Sequence, residues 1–241
     1  MTLSYDLGGP AGGSKTLGMI VLQSDETIEH DARRLLPLDV GFHVSRVPVA
    51  QTVNDDTLGQ MALDLPTSAA LLPVPAQYSV IGYGCTSGTS VIGAEKIADL
   101  VRQGHDTVAV TDPLTALIAA CRHLGVTRLA FISPYIEPVS AGLRDRIEDA
   151  GIAVTSYDGF DEDQDENVAR ITKSSLMEAA RSMGEGDAIF MSCTSLQTLD
   201  IIEPLERELG RAILSSNQVL LWHMAQLSGI AMDGPGRLFQ D

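Results

Sequence analysis

The stretch Gly82-Tyr-Gly-Cys-Thr-Ser-Gly-Thr-Ser-Val-Ile-Gly93 sets a cysteine between an apolar run and a glycine-softened turn. A second stretch, Ala188-Ile-Phe-Met-Ser-Cys-Thr-Ser-Leu-Gln-Thr198, repeats the triplet Cys-Thr-Ser behind another apolar run. Each run is short and β-rich, and each leads into a helical pattern. A strand tip that feeds a helix is the junction from which parallel sheets are built. The two junctions lie nearly half a chain apart, which suggests two similar α/β halves whose strand tips face one cleft.

The rest of the chain follows the same alternation. Strands are expected at 17–22, 40–49, 78–82, 107–110, 128–132, 153–157, 188–192 and 212–214. Helices are expected at 26–36, 91–102, 113–124, 138–150, 166–183, 199–209 and 217–227. Gly104, Gly125, Gly151 and Gly210 follow helical runs, where glycine closes a helix in the left-handed conformation. Asp112 before Pro113 is a cap followed by a good first helical residue. The least regular part, 54–77, is interrupted by Pro66, Pro73 and Pro75 and reads as short helices in an excursion over the site.

The expected fold is therefore α/β: two pseudo-symmetric Rossmann-like halves, each with a parallel sheet, and an active site in the cleft between them. Residues 1–16 read as a flexible tail, 17–111 with 216–241 as the first half, and 112–215 as the second. Right-handed crossovers place ligands beyond the carboxyl ends of the strands.

Composition narrows the function. The 241 residues carry 32 acidic and 16 basic side chains, a formal net charge of −16. Such a surface repels phosphate backbones and anionic lipid, so neither nucleic acid nor membrane is expected as a partner. No apolar run reaches the roughly 18 residues of a membrane span. The start of the chain lacks the basic and apolar regions of a signal peptide, and a cytoplasmic location is expected. With three cysteines, reduced thiols are the default, and a homo-oligomer is left open.

A free cysteine is by default a small buried hydrophobe, and Cys121, inside an apolar helical run, fits that description. Cys85 and Cys193 stand instead at strand tips, where turn amides can stabilise a thiolate or bind a carboxylate. Two thiols across a cleft suit a proton on carbon: one removes it from one face while the other returns one to the opposite face. A thiol titrating near its free value of about 8.5, in a site that modestly favours the thiolate, would suit both roles. A thiolate could also add to an electron-poor double bond.

These segments resemble the aspartate/glutamate racemase superfamily, in the branch that contains maleate isomerase and arylmalonate decarboxylase. The resemblance runs from Leu17 nearly to the end. It rests on Gly18-Met-Ile-Val-Leu-Gln-Ser24, Gly84-Cys-Thr-Ser-Gly-Thr-Ser90, Ile132-Ser-Pro-Tyr-Ile-Glu-Pro138, Ser192-Cys-Thr-Ser195, Leu214-Ser-Ser-Asn217 and Gly236-Arg-Leu238. Gln23-Ser-Asp-Glu-Thr27 is similar to the ectoine-utilisation subgroup of that branch.

The resemblance implies a cofactor-independent enzyme with one cleft cysteine from each half. In the isomerase-like scheme Cys85 is the nucleophile and Cys193 the acid. The decarboxylases carry glycine at the first position, so the cysteine at 85 weakens that assignment. Tyr135 matches a tyrosine that binds a substrate carboxylate. Thr86, Ser87 and Thr194 are expected to hold carboxylate, assisted by Ser24, with Asp25 and Asn217 as further candidates.

One departure bears on substrate. Asp25 stands where maleate isomerases carry a carboxylate-binding asparagine, and a second such asparagine falls near Asp165. An aspartate disfavours a second carboxylate and favours an ammonium, so an amine-bearing carboxylate fits; alternatively Asp25 only caps the following helix. The expected substrate is a small carboxylic or amino acid.

Other signals fail on chemistry. Gly8–Thr16 resembles a phosphate loop but has Ser14 where a glycine must precede the lysine, and it comes before the first strand. The acidic run 161–167 lacks the glycine and terminal glutamate of a calcium loop and reads as solvated. No histidine has zinc-ligand spacing with a cysteine, so no metal is expected. Two rival functions remain: malonate-type decarboxylation with Cys193 as the proton donor, and non-catalytic carboxylate binding.

Overall fold

The computed structural model describes residues 2–50 and 54–240. In chain order the elements are β1 (Lys15–Leu22), α1 (Ile28–Leu35), β2 (Val40–Val47), α2 (Asp55–Ala70), β3 (Tyr78–Gly84), α3 (Thr86–Ile92), α4 (Ala94–Gly104), β4 (Thr107–Thr111) and α5 (Pro113–Leu124). The second series is β5 (Arg128–Tyr135), α6 (Glu137–Asp149), β6 (Ala153–Glu162), α7 (Asp165–Val168), α8 (Lys173–Ser182), β7 (Ala188–Met191), α9 (Leu199–Leu209), β8 (Ala212–Ser215) and α10 (Ser216–Ser228).

The strands form two parallel four-stranded sheets, ordered β2-β1-β3-β4 and β6-β5-β7-β8. The two orders are the same permutation, so β3 and β7 occupy equivalent inner positions. Each expected strand is present, and the α/β architecture with two similar sheets is as read from the sequence. Residues 15 and 16, expected in the tail, pair with Val40 and Gly41 in the first sheet. Lys15 also donates through Nζ to the Ser228 carbonyl at 2.6 Å.

Three helical expectations change. The irregular 54–77 segment contains one long helix, α2, in place of short pieces. Asn54 and Thr57 cap its start reciprocally. Leu58, Met61, Ala62, Leu65 and Ala69 then bury one helical face, which outweighs the interruption at Pro66. The expected helix 91–102 is two helices that break at Gly93, where φ is 90°. The expected 166–183 is likewise two, with α8 restarting where the Thr172 side chain accepts from the Ser175 N–H.

Packing explains how the halves stay together. Both sheets feed one cluster of buried side chains, which includes Ile20, Leu22 and Ile81 from the first and Ile132, Ile189 and Met191 from the second. Helix α10 leaves β8 directly and is buried nearly all round, packing on β3, β4 and α5. Exposed ion pairs Arg170–Glu26 and Arg34–Asp200 bridge the rim; at such exposure solvent screens them and they add little to stability. Among the described residues no helix is long and apolar enough to cross a membrane.

Candidate active site

The carboxyl ends of β1, β3, β5 and β7 converge, and the two cysteines stand at two of them. Cys85 follows β3 and is the N-cap of α3, its Sγ accepting from the Gly88 N–H at 3.2 Å. A glycine is required at 88: a Cβ there would lie 3.0 Å from Cys85 Sγ and 2.5 Å from the Tyr83 hydroxyl. Cys193 follows β7 in a turn, and α9 does not begin until Leu199. Its φ of 114° is a region that non-glycine residues rarely enter, a strain of about 1–3 kcal/mol that recurs at functional sites.

Two hydroxyls hold that conformation. The Cys193 N–H donates to Ser216 Oγ at 2.9 Å, and Ser216 Oγ lies 2.8 Å from Thr86 Oγ1. Thr86 is the residue after Cys85, so this bridge couples the two cysteine turns across the halves.

Each sulfur has a tyrosine hydroxyl beside it. Tyr83 lies by Cys85 and reaches the Met61 thioether at 3.8 Å. Tyr135 lies 3.1 Å from Cys193 Sγ and donates to Asp165 Oδ1, also at 3.1 Å. The other Asp165 oxygen accepts from Ser24 Oγ at 2.5 Å. Asp165 is 4% exposed, which corrects the reading of 161–167 as a wholly solvated loop. The chain turns inward after Asp161, whose φ is 55°, and residue 165 opens α7 facing β5.

The other expected residues are also gathered here. Asp25 Oδ1 accepts from the Thr27 and Ile28 N–H groups, both at 2.8 Å, and so caps α1. Its Oδ2 is buried with no hydrogen-bond partner. Burial pushes the Asp25 carboxyl up to about 6, against the opposing pull of those two N–H groups and of the nearby Thr194 hydroxyl. Thr194 Oγ1 donates to the Gly84 carbonyl at 3.3 Å, and Ser87 is buried in the first turn of α3. Asn217 Nδ2 donates to Asp31 Oδ2 at 2.8 Å and to the Thr194 carbonyl at 2.9 Å. Asp31, buried beneath it, is also raised to about 6 by desolvation. Tyr83, Asp31 and Ser216 were not singled out from sequence, although Tyr83 lies inside the quoted stretch 82–93 and Ser216 inside Leu214-Ser-Ser-Asn217.

Electrostatics corrects the expected thiol state. Burial pushes the Cys85 thiol up to about 12, and Cys193 is raised further, with the nearby Asp165 carboxylate adding to the effect. Both thiols are therefore protonated at rest, not poised near neutrality. The sulfurs lie inside the shared core cluster, 3% and 4% exposed at the residue level. Neither sulfur lines the nearby cavity of about 410 Å³, which is walled by Gln23, Ser24, Val49, Ala50, Gln164, Asp165 and Glu166 and reaches Cys193 only through Asp165 and Tyr135.

This arrangement can be compared with known proteins. The arylmalonate decarboxylase family profile matches residues 80–239. The maleate isomerase of Nocardia farcinica is 26% identical over 95% of this chain and 96% of its own length. The arylmalonate decarboxylase of Bordetella bronchiseptica is 31% identical over 94% of this chain and 97% of its own length. A crystal structure of a maleate isomerase variant from Pseudomonas putida S16 with maleate superposes with a TM-score of 0.84 at 25% identity, covering 93% of this chain and 97% of that one. With the family profile spanning most of the chain and a 31% identical decarboxylase over nearly its whole length, the protein belongs to the arylmalonate decarboxylase family.

Proposed function

We propose that the protein is a cofactor-independent isomerase or racemase of a small carboxylate that also carries an amine, with Cys85 and Cys193 as the paired thiols. The observation that carries this reading is the equivalence of the two cysteines: each ends the third strand of its half, each faces a tyrosine hydroxyl, and both belong to one buried cluster. In the racemase scheme one thiolate takes the proton from the α-carbon and becomes a thiol. The other thiol delivers its own proton to the opposite face and becomes a thiolate. In the isomerase scheme a thiolate adds to a carbon–carbon double bond, the new single bond rotates, and elimination restores the thiolate. The working units are the halves 17–111 with 216–241 and 112–215, the first extended by Lys15 and Thr16, which pair in β1.

The amine follows from Asp25 and Asp165. Among the described residues no lysine or arginine pairs with either side chain, and Asp25 Oδ2 has no hydrogen bond of good geometry, with only the Thr194 hydroxyl near the carboxyl. An ammonium supplies both the missing donors and the missing charge. The substrate carboxylate is then held by turn amides around Thr86, Ser87 and Thr194, with Asn217 behind them.

Solvent deuterium incorporation at the α-carbon tests the racemase scheme, and cis-trans interconversion of an amine-bearing unsaturated acid tests the isomerase scheme, which breaks no C–H bond. Small amino and diamino acids should exchange with the wild-type protein, and Cys85→Ala and Cys193→Ala should each lose racemisation or isomerisation. Phenylmalonate separates the decarboxylase reading: CO₂ release that persists in Cys85→Ala, without any exchange of amino acids, would overturn the two-thiol proposal. A protein that only binds carboxylates would neither exchange nor isomerise any of them.

A further inference from the structure

The two cysteines are not held in the same way, although Ser216 touches both turns. Cys85 caps a regular helix: its Sγ accepts from the Gly88 N–H and its carbonyl from the Thr89 N–H. Cys193 has no such helix behind it, since α9 begins only at Leu199. Its turn is tied instead to side chains from across the cleft. The Cys193 N–H donates to Ser216 Oγ, the Thr194 carbonyl accepts from Asn217 Nδ2, and the Ser195 carbonyl accepts from Thr27 Oγ1, each at 2.9 Å. Ser216 and Asn217 open α10, and Thr27 stands at the N-cap of α1. Helix α1 follows β1 and α10 packs on β3, both strands of the first sheet, whereas Cys193 follows β7 of the second. Behind this clamp stands Asp31, 3% exposed, whose Oδ2 accepts from Asn217 Nδ2 at 2.8 Å. With Asp31 and the Thr194 carbonyl both taking hydrogens from Nδ2, the Asn217 amide has one orientation open to it. Turning it over would set Oδ1 against two acceptors.

We propose that Asp31 is a positioning residue for Cys193. By fixing the Asn217 amide it fixes the Thr194 carbonyl, and so holds the neighbouring cysteine at its φ of 114°. A carboxylate suits this task because it offers acceptors only and strengthens the bond it receives. The first half thereby sets where the thiol of the second half stands, while the thiol of the first half is set by its own helix. Asp31 touches no reacting atom; its effect travels through Asn217 and Thr194. With Thr27 it also lines a cavity of about 250 Å³ between α1 and α9, so the anchors of the clamp border open space on their far side.

The proposal rests on the two-thiol reading for its effect on turnover, but its first test needs no substrate. Iodoacetamide alkylation of Cys193 is followed in a Cys85→Ser/Cys121→Ser background, and that of Cys85 in a Cys193→Ser/Cys121→Ser background. Each is measured with Asp31 intact, with Asp31→Leu and with Asp31→Asn. Leucine keeps the size but removes the acceptor, and the adjoining cavity gives it room; asparagine keeps an oxygen for Asn217. Once unclamped, the Cys193 turn relaxes and its sulfur leaves the enclosure that keeps it protonated. Asp31→Leu should speed Cys193 at least about fivefold and leave Cys85 within about twofold, and Asp31→Asn should leave both near their parent rates. If Asp31 only supported the fold, general loosening would speed both thiols alike. That result overturns the proposal, as does an unmoved Cys193. If Asp31→Leu does not fold, Thr27→Val removes the Ser195 tie alone and carries the same expectation and the same two overturning results. In turnover, kcat for amino-acid racemisation should fall at least about tenfold in Asp31→Leu with KM within about threefold; an unchanged kcat overturns the positioning role. Absence of α-carbon exchange in the parent protein, with the alkylation contrast intact, would instead remove the racemase scheme and leave the clamp standing.

Discussion

The hydroxyls of Thr86 and Ser216 lie 2.8 Å apart, and Ser216 also accepts from the Cys193 N–H at 2.9 Å, so one serine fixes the turns that carry both cysteines. The contact joins α3 of the first half to the start of α10 and the turn after β7. It also holds Cys193 at a positive φ that the residue would otherwise avoid.

Ser216→Ala therefore acts on both stability and geometry. It leaves the Cys193 N–H and the Thr86 hydroxyl without their shared partner in a buried site, a cost of about 1–3 kcal/mol. Urea unfolding should show that loss. With the sulfurs no longer held in register, kcat should fall more than KM rises, since positioning acts mainly on the chemical step. An unchanged kcat would mean that the bridge only supports the fold.

Asp25 makes a pH-dependent contribution whose sign is set by its burial. Desolvation raises its carboxyl from 3.8 to about 6 in the folded protein. The folded state then binds the proton more tightly than the unfolded chain, so stability is lost as pH rises from 3.8 through about 6. The loss is at most about 3 kcal/mol, at 1.36 kcal/mol per pH unit. Asp25→Asn keeps an oxygen for the Thr27 and Ile28 N–H groups and has no charge to bury. Urea unfolding should find the variant more stable than wild type at about pH 8, by up to about 3 kcal/mol, and nearly equal at about pH 4. The same change should lower selectivity for amine-bearing over dicarboxylic acids, a trade of function for stability common at binding sites.

Much of this was legible from alternating short apolar runs and helical patterns, because parallel strands covered on both faces leave that signature. The repeated Cys-Thr-Ser behind such runs pointed to β3 and β7, which the shared strand order makes equivalent. What was not legible depends on long-range packing. The resemblance marked the neighbourhood of Asp165, but the acidic run around it reads as solvated, and only the backbone turn at Asp161 and the company of Tyr135 and Ser24 bury it. The α2 helix was obscured by Pro66, although its apolar spacing was present in the sequence. The high thiol values follow from enclosure by both halves, which no local pattern around Cys85 or Cys193 encodes.

Gly88→Ala tests the capping of Cys85 from the helix side. The new methyl would stand 2.5 Å from the Tyr83 hydroxyl and 3.0 Å from both Cys85 Sγ and Met61 Cε. Relief requires moving the tyrosine or the sulfur, and overpacking of this kind costs about 1–3 kcal/mol. Melting should fall accordingly, and racemisation or isomerisation should drop even where the fold is retained. The tyrosine ring is fully buried and cannot swing out. Full activity in this variant would show that Cys85 does not need its present position.

Cys85 and Cys121 offer a matched pair for the resting state of the thiols. Burial raises each to about 12, one at a strand tip inside the site and the other within α5. Against a free thiol near 8.5, the thiolate fraction at neutral pH falls by about three orders of magnitude. Iodoacetamide should therefore modify both at about one-thousandth of the free-thiol rate in the native protein, and at the free rate in urea. Native Cys193, raised further than either by burial and by the nearby Asp165 carboxylate, should be slower still. Single-cysteine proteins give the three rates separately. A Cys85 that reacts as fast as a free thiol would place a standing thiolate at the end of β3, and the protonated resting site derived from its burial would have to be abandoned.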